Sequence, residues 1–202
     1  MQNSSNAQKK TRRRLAVAAA VFIASASTGF TIRHAVAEPV VDSDIHLEAD
    51  VSERKLYIKD GDSVVESFAV AVGKGSKQTP RGNYKVRRIV WNPAWVPPDE
   101  PWAKGKEPQP PGAKANPMKL VKIFFQEPDY YIHGTGDIES LGEAASHGCL
   151  RMDPDDAYRV ARYLMEHGGQ PRDENWFWRV LHFRNETKTV YLDHPIPMTV
   201  AD

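Results

Sequence analysis

Apolar side chains recur at every second position where the folded part of the chain begins. In "DIHLEADV" (44–51), Ile45, Leu47, Ala49 and Val51 alternate with polar partners, the period of a half-buried strand. "KLYI" (55–58) runs to a turn at Asp60-Gly61, and "VVESFAVAV" (64–72) continues to Gly73, which together predict a hairpin. "QTPRGNYKVRRIVW" (78–91) supplies a turn, with Pro80 preset for its corner and Gly82 closing it, and then another strand. The start of the domain is therefore read as antiparallel β.

The pattern stops between residues 92 and 118, where eight of the chain's fifteen prolines and two tryptophans, Trp95 and Trp102, follow no period. An interdomain linker is one reading. Strands flank the segment and neither half makes a core of its own, which favours a long loop inserted in one domain, as lids and binding loops are. Trp91, Trp95 and Trp102 can cover the core or contact a substrate. "KLVKIFF" (119–125) and "YYIHG" (130–134) are two further strands. Beyond a glycine-bearing loop, Asp153 reads as a helix N-cap, Pro154 as the first helical residue and Asp156 as the acidic partner in the first turn. Ala157, Val160, Ala161, Leu164 and Met165 then fall on one face, and Gly168-Gly169 ends the helix. "FWRVLHF" (177–183) reads weakly as a strand, and "KTVYLD" (188–193) clearly as one.

The N-terminus changes what the charge means. Residues 9–14 carry five Lys or Arg, and "LAVAAAVFIASA" (15–26) is apolar and uncharged, the arrangement of an export signal. "AVA" (35–37) offers the small-x-small cut, "ASA" (24–26) an alternative, and an uncleaved anchor reaching Ile32 is the competing reading. The expected division is a signal over 1–37, a short lead over 38–44 and a single catalytic domain over 45–200. "TRRRLAV" also resembles a twin-arginine signal. The whole chain is at +1, but residues 1–37 hold six of its 27 basic residues and no acid; the remaining 21 face 26 acids, a net charge of −5. Nothing in that balance provides the basic face that nucleic-acid binding requires.

One cysteine, Cys149, stands in 202 residues, within "SHGCLRM" (146–152). An exported chain with one thiol makes no internal disulfide, so Cys149 is an intermolecular partner, a reactive group or an inert buried side chain. Its neighbours favour reactivity. A thiol attacks carbonyls as thiolate and needs a base or a positive field. His147 is two residues away on the same segment. His133 ends a separate strand, and the 134–145 loop is long enough to fold it onto the thiol, so His133 is assigned as base and His147 as helper. Gly148 permits close substrate approach, and the amides of Gly148 and Cys149 are candidates for an oxyanion site. Arg151 binds a carboxylate, helps to hold the thiolate, or makes a structural ion pair on the surface. His133, His147 and Cys149 are all competent zinc ligands, but no paired CxxC or HExxH spacing accompanies them, and no metal is expected.

"IHGT" (132–135), "SLG" (140–142), "SHGCLRM" and "DA" (156–157) resemble the catalytic signature of bacterial L,D-transpeptidases, the YkuD-type domain, and "DG" (60–61), "TPRGNYKV" (79–86) and "PPGAKANP" (110–117) match the upstream pattern. The resemblance covers about residues 45–195. Met118-Lys119 stands where many members have Leu-Gly, and the region 170–187 is longer and more aromatic than in the shortest members. The resemblance implies a mainly β fold, a sandwich of mixed sheets with one principal helix beside the active site and the Pro/Trp-rich segment as a lid. It implies that Cys149 attacks the carbonyl between a diamino acid and D-alanine in a peptidoglycan tetrapeptide stem, with His133 as base and the Gly134 carbonyl orienting its ring. His147, Gly148 and Arg151 would line the pocket, with Ser146 in support, and no cofactor. The acceptor is another stem (a 3-3 cross-link), an outer-membrane lipoprotein lysine, a D-amino acid or water. A monomer in the periplasm or cell envelope is expected. The rival is a wall-binding protein with an inactive site, against which stands the joint retention of Cys149, His133, His147 and Arg151.

Overall fold

The computed structural model describes residues 44–202; the signal assigned to residues 1–37, with most of the lead that follows it, lies outside them. Ten strands occur: β1 (Ile45–Asp50), β2 (Lys55–Asp60), β3 (Ser63–Ala69), β4 (Val72–Gly73), β5 (Gly82–Trp91), β6 (Val121–Gln126), β7 (Tyr130–Gly134), β8 (Ala144–Ser146), β9 (Leu150–Met152) and β10 (Lys188–Ala201). Eight form one mixed sheet in the order β3-β2-β1-β10-β5-β6-β7-β9, and β4 pairs with β8 in a small parallel sheet. Two α-helices, α1 (Pro154–His167) and the shorter α2 (Glu174–His182), complete a mainly β fold with one main helix.

The alternation read in β1 is the core itself: Ile45, Leu47, Ala49 and Val51 are all buried. The 64–72 run breaks into two strands. β3 ends at Ala69, Ala71 exchanges backbone hydrogen bonds with Arg151, and β4 then joins β8. The motif around Cys149 is thereby held on both sides, by β7 and by the chain leaving β3. β10 runs well past Asp193, antiparallel to β5 and then parallel to β1, with a register shift between Tyr191 and Ile196.

Helix α1 buries Ala157, Val160, Ala161, Leu164 and Met165, the face its 3.6-residue spacing predicts. Asp153 caps it by accepting from Asp155 N at 2.8 Å, while Asp156 turns outward to Arg159 instead of back to the cap. The 177–183 segment is helix α2 and not a strand. Asp173 accepts from Trp176 N at 2.8 Å, and Phe177 and Val180 face inward one turn apart, leaving Trp178 and Leu181 outside. Trp91 explains why both helices settle here. It is fully buried, meets Tyr158 of α1 and Trp176 and Phe177 of α2 edge-on with centroids 5.7–5.8 Å apart, and donates to Met165 Sδ at 3.3 Å.

Candidate active site

Three neighbouring strands present the candidate residues on one face. In the antiparallel pair β6/β7, Lys122 lies opposite His133; in the parallel pair β7/β9, His133 lies beside Arg151 and Ile132 beside Leu150. Side chains two apart share a face, so Tyr131 and His133 project together, with ring centroids 5.5 Å apart. Cys149 directly precedes β9, and continuing the same register sets it beside Tyr131, two pairs from His133 and therefore on the same face. The return of the chain is therefore made by a parallel strand pair, a tighter constraint than a folded-back loop.

These side chains open into a cavity of about 930 Å³ lined by Cys149, His133, His147, Arg151, Ser146 and Tyr131 among others. His133 is buried, and its Nδ1 lies 2.7 Å from the Gly134 carbonyl. A carbonyl only accepts, so Nδ1 carries the proton and Nε2 keeps its lone pair. Burial drives the His133 pKa down to about 3, outweighing the hydrogen bonds to the Gly134 and Pro117 backbone, and the Arg151 and Lys122 charges lower it further. Burial also pushes the Cys149 thiol up to about 11, against the pull of hydrogen bonds from the Tyr131 backbone and hydroxyl and of the Lys122 and Arg151 charges. Both groups are neutral at rest. The thiol points to the Asp129 carbonyl, Sγ to O 3.4 Å, and no hydrogen bond joins it to His133 or His147 among the described residues.

The turn before the thiol is fixed by Ser146. Its hydroxyl donates to the Cys149 carbonyl at 2.5 Å and accepts from Gly148 N at 3.0 Å. The Gly148 amide, expected at an oxyanion, is thus occupied, while Cys149 N has no hydrogen-bond partner among the described residues. Gly148 has φ +115°, and a Cβ there would lie 2.7 Å from the Tyr130 ring, so both conformation and space call for glycine. His147 lines the same cavity and is held from its other face. It stacks under Trp102 with centroids 4.0 Å apart and planes 12° from parallel, and its Nδ1 is buried without a partner among the described residues. Arg151 Nη1 lies 3.9 Å from Asp137, a loose contact.

Lys122 and Asn116 escape a reading of the sequence, which leaves Trp102 open between core and substrate contact. Lys122 holds its ammonium 4.7 Å from the Tyr131 ring centre; burial lowers its pKa, and its charge favours the thiolate. Trp102 forms the roof over His147, and Trp95, buried in its own loop and bridged to Gln109, lines the same cavity. Asn116 pins that loop, donating to the carbonyls of Pro93 (2.8 Å) and Pro110 (3.1 Å) and accepting from Met118 N (2.9 Å). A polar side chain, buried because it replaces three backbone partners, looks like any other asparagine in sequence. No group of three or more metal-ligating side chains occurs among the described residues.

Residues 44–185 match the family model of the L,D-transpeptidase catalytic domain, YkuD. The chain belongs to that family. Among its relatives are a Bacillus licheniformis protein named as an L,D-transpeptidase, YkuD, 29% identical over 57% of this chain and 57% of that protein. An Escherichia coli protein named as an L,D-transpeptidase, ErfK/SrfK, is 35% identical over 53% of this chain and 37% of its own length. The aligned part thus spans about half the length of such relatives, or less. Among solved structures, an L,D-transpeptidase from Mycobacterium smegmatis aligns with 78% of this chain and 58% of its own at 16% identity, TM-score 0.49.

Proposed function

We propose that the chain is a peptidoglycan L,D-transpeptidase that works through a Cys149 acyl-enzyme and forms 3-3 cross-links between stem peptides. The observation that carries this reading is the placement of a thiol, an imidazole whose Nδ1 is held by the Gly134 carbonyl and an arginine around one cavity. The resting pair is neutral, so the thiol proton moves as the bond forms. Cys149 turns from Asp129 toward His133, Nε2 takes the proton, and Sγ adds to the carbonyl preceding D-alanine. The Cys149 amide faces the developing oxyanion. Collapse expels D-alanine, which receives the proton from the imidazolium, and leaves a thioester. The amine of a second stem then attacks the thioester, His133 accepts its proton, and the thiol is restored. Gly134 holds the tautomer throughout, Ser146 and Gly148 hold the nucleophile's turn, and Arg151 meets a substrate carboxylate. His147 supports the wall under Trp102. No step requires a cofactor.

Stem peptides lie outside the cytoplasm, which accords with the export signal read in residues 1–37. Among the described residues no helix is long and apolar enough to cross a membrane.

The deciding experiment is mass spectrometry of products from purified tetrapeptide muropeptides, with and without a lysine-ended lipoprotein peptide. A dimer lighter by one D-alanine is expected. Conjugation to the lysine peptide alone would reassign the reaction to lipoprotein attachment, and a tripeptide alone to hydrolysis. Loss of all products in the Cys149→Ala protein is required in every case.

A further inference from the structure

Only three non-glycine residues have left-handed backbone among the described residues, namely Arg54, Asn92 and Lys119. Asn92 is of a type that tolerates this region and is used there, donating to the Val180 carbonyl at 2.8 Å. Lys119 has no such excuse. It ends the turn that delivers β6, with φ +55° and its amide 3.4 Å from the Asn116 carbonyl, a position glycine would occupy without strain.

Its side chain lies along the pocket wall beside His133. A Cβ built on Gly134 would come 3.2 Å from Lys119 Cβ, and one on Gly136 would come 2.8 Å from Lys119 Cε and 2.9 Å from Nζ. The bare backbone at 134 and 136 is therefore a trough for the lysine, whose ammonium lies over Gly136, and both residues line the cavity. One of its three N–H groups reaches the Lys114 carbonyl at 3.2 Å. Two are left. Of the other cations of the cavity, Lys77 pairs with Glu100 at 2.7 Å, Lys122 lies on the Tyr131 ring and Lys106 on the Trp102 ring, while Arg151, only loosely held by Asp137, is the second cation open to a substrate carboxylate. Lys119 makes no ion pair within the described residues.

We propose that Lys119 is a specificity-determining residue whose ammonium takes a carboxylate of the anionic stem peptide on the His133 side of Cys149. This rests on the stem-peptide reading above. The strained backbone is then the cost of placing a cation in a wall that glycine would leave blank.

The test uses the full chain carrying Cys149→Ala, which binds without turnover, titrated with a free-acid tetrapeptide stem and with the same peptide amidated at its carboxylates. The free acid is expected to bind about threefold to tenfold more tightly, the range of a partly exposed ion pair. K119M and K119G should erase that preference and K119R should keep it. K119G should also melt above K119M, because glycine relieves the turn while both remove the charge. An acid preference that survives K119M, or a K119G protein that melts below K119M, overturns the assignment alone. If neither peptide binds the Cys149→Ala protein, the stem-peptide reading falls and takes the assignment with it.

Discussion

Cys149 and His133 pose a problem of proton transfer. With the thiol at about 11 and the imidazolium at about 3, a standing thiolate–imidazolium pair is strongly disfavoured. The thiolate fraction should then rise about tenfold per pH unit through the neutral range. Iodoacetamide alkylation of Cys149, followed by intact mass, is expected to accelerate steadily from pH 7 to 9 without a plateau; a plateau near neutrality would reveal an ion pair. Lys122→Met removes a charge that favours the thiolate and should slow alkylation at pH 8 severalfold, whereas an unchanged rate would show that the ammonium is screened from the sulfur. The two histidines separate in the same way. His133→Ala should abolish acylation by a carbapenem, and His147→Ala, which removes only a stacked partner of Trp102, should reduce it far less. The opposite order would make His147 the base.

At the scale of the element, α1 follows β9 directly, with its cap Asp153 two residues after Arg151, so the cap tethers the motif. Asp153→Ala leaves the Asp155 amide without its acceptor and should cost about 1 kcal/mol, read from the urea midpoint. That cap and the buried face from Ala157 to Met165 are legible in the sequence because both follow from local spacing. Helix α2 is less so: Trp, Phe, Val and Leu in "FWRVLHF" suit a strand as well as a helix, and the decision rests on Asp173, four residues before the apolar run. The thiol and both histidines stand out by residue type. Tyr131 and Lys122 do not, since tyrosine and lysine in strands are ordinary and acquire a role only through the registers of β6/β7 and β7/β9, a tertiary choice that a period of two leaves open. The same holds for the Gly148 amide, whose engagement by Ser146 depends on the actual turn.

For the molecule as a whole, the buried His133 and the half-buried Cys149 set opposite limits on stability. His133 has its folded pKa lowered to about 3 from 6.5, so between those values the unfolded chain binds the extra proton. Stability is full above about pH 6.5 and is lost as pH falls toward 3, with a limiting slope of about 1.4 kcal/mol per pH unit from this single group. Cys149 has its folded pKa raised to about 11 from 9.0, so the unfolded chain loses its proton first. Its contribution is full below pH 9 and is lost as pH rises toward 11. Chemical denaturation across pH 4–10 should therefore show a dome. His133→Gln should flatten the acid side and leave the alkaline side in place, and Cys149→Ala should do the reverse. The single proton each variant removes from the slope distinguishes these two groups from the surface carboxylates, whose titration both variants share. A Cys149→Ala protein that still weakens between pH 9 and 11 as the parent does would show that the thiol is not shielded from water, and with it the case for a proton moving in concert with attack would fail.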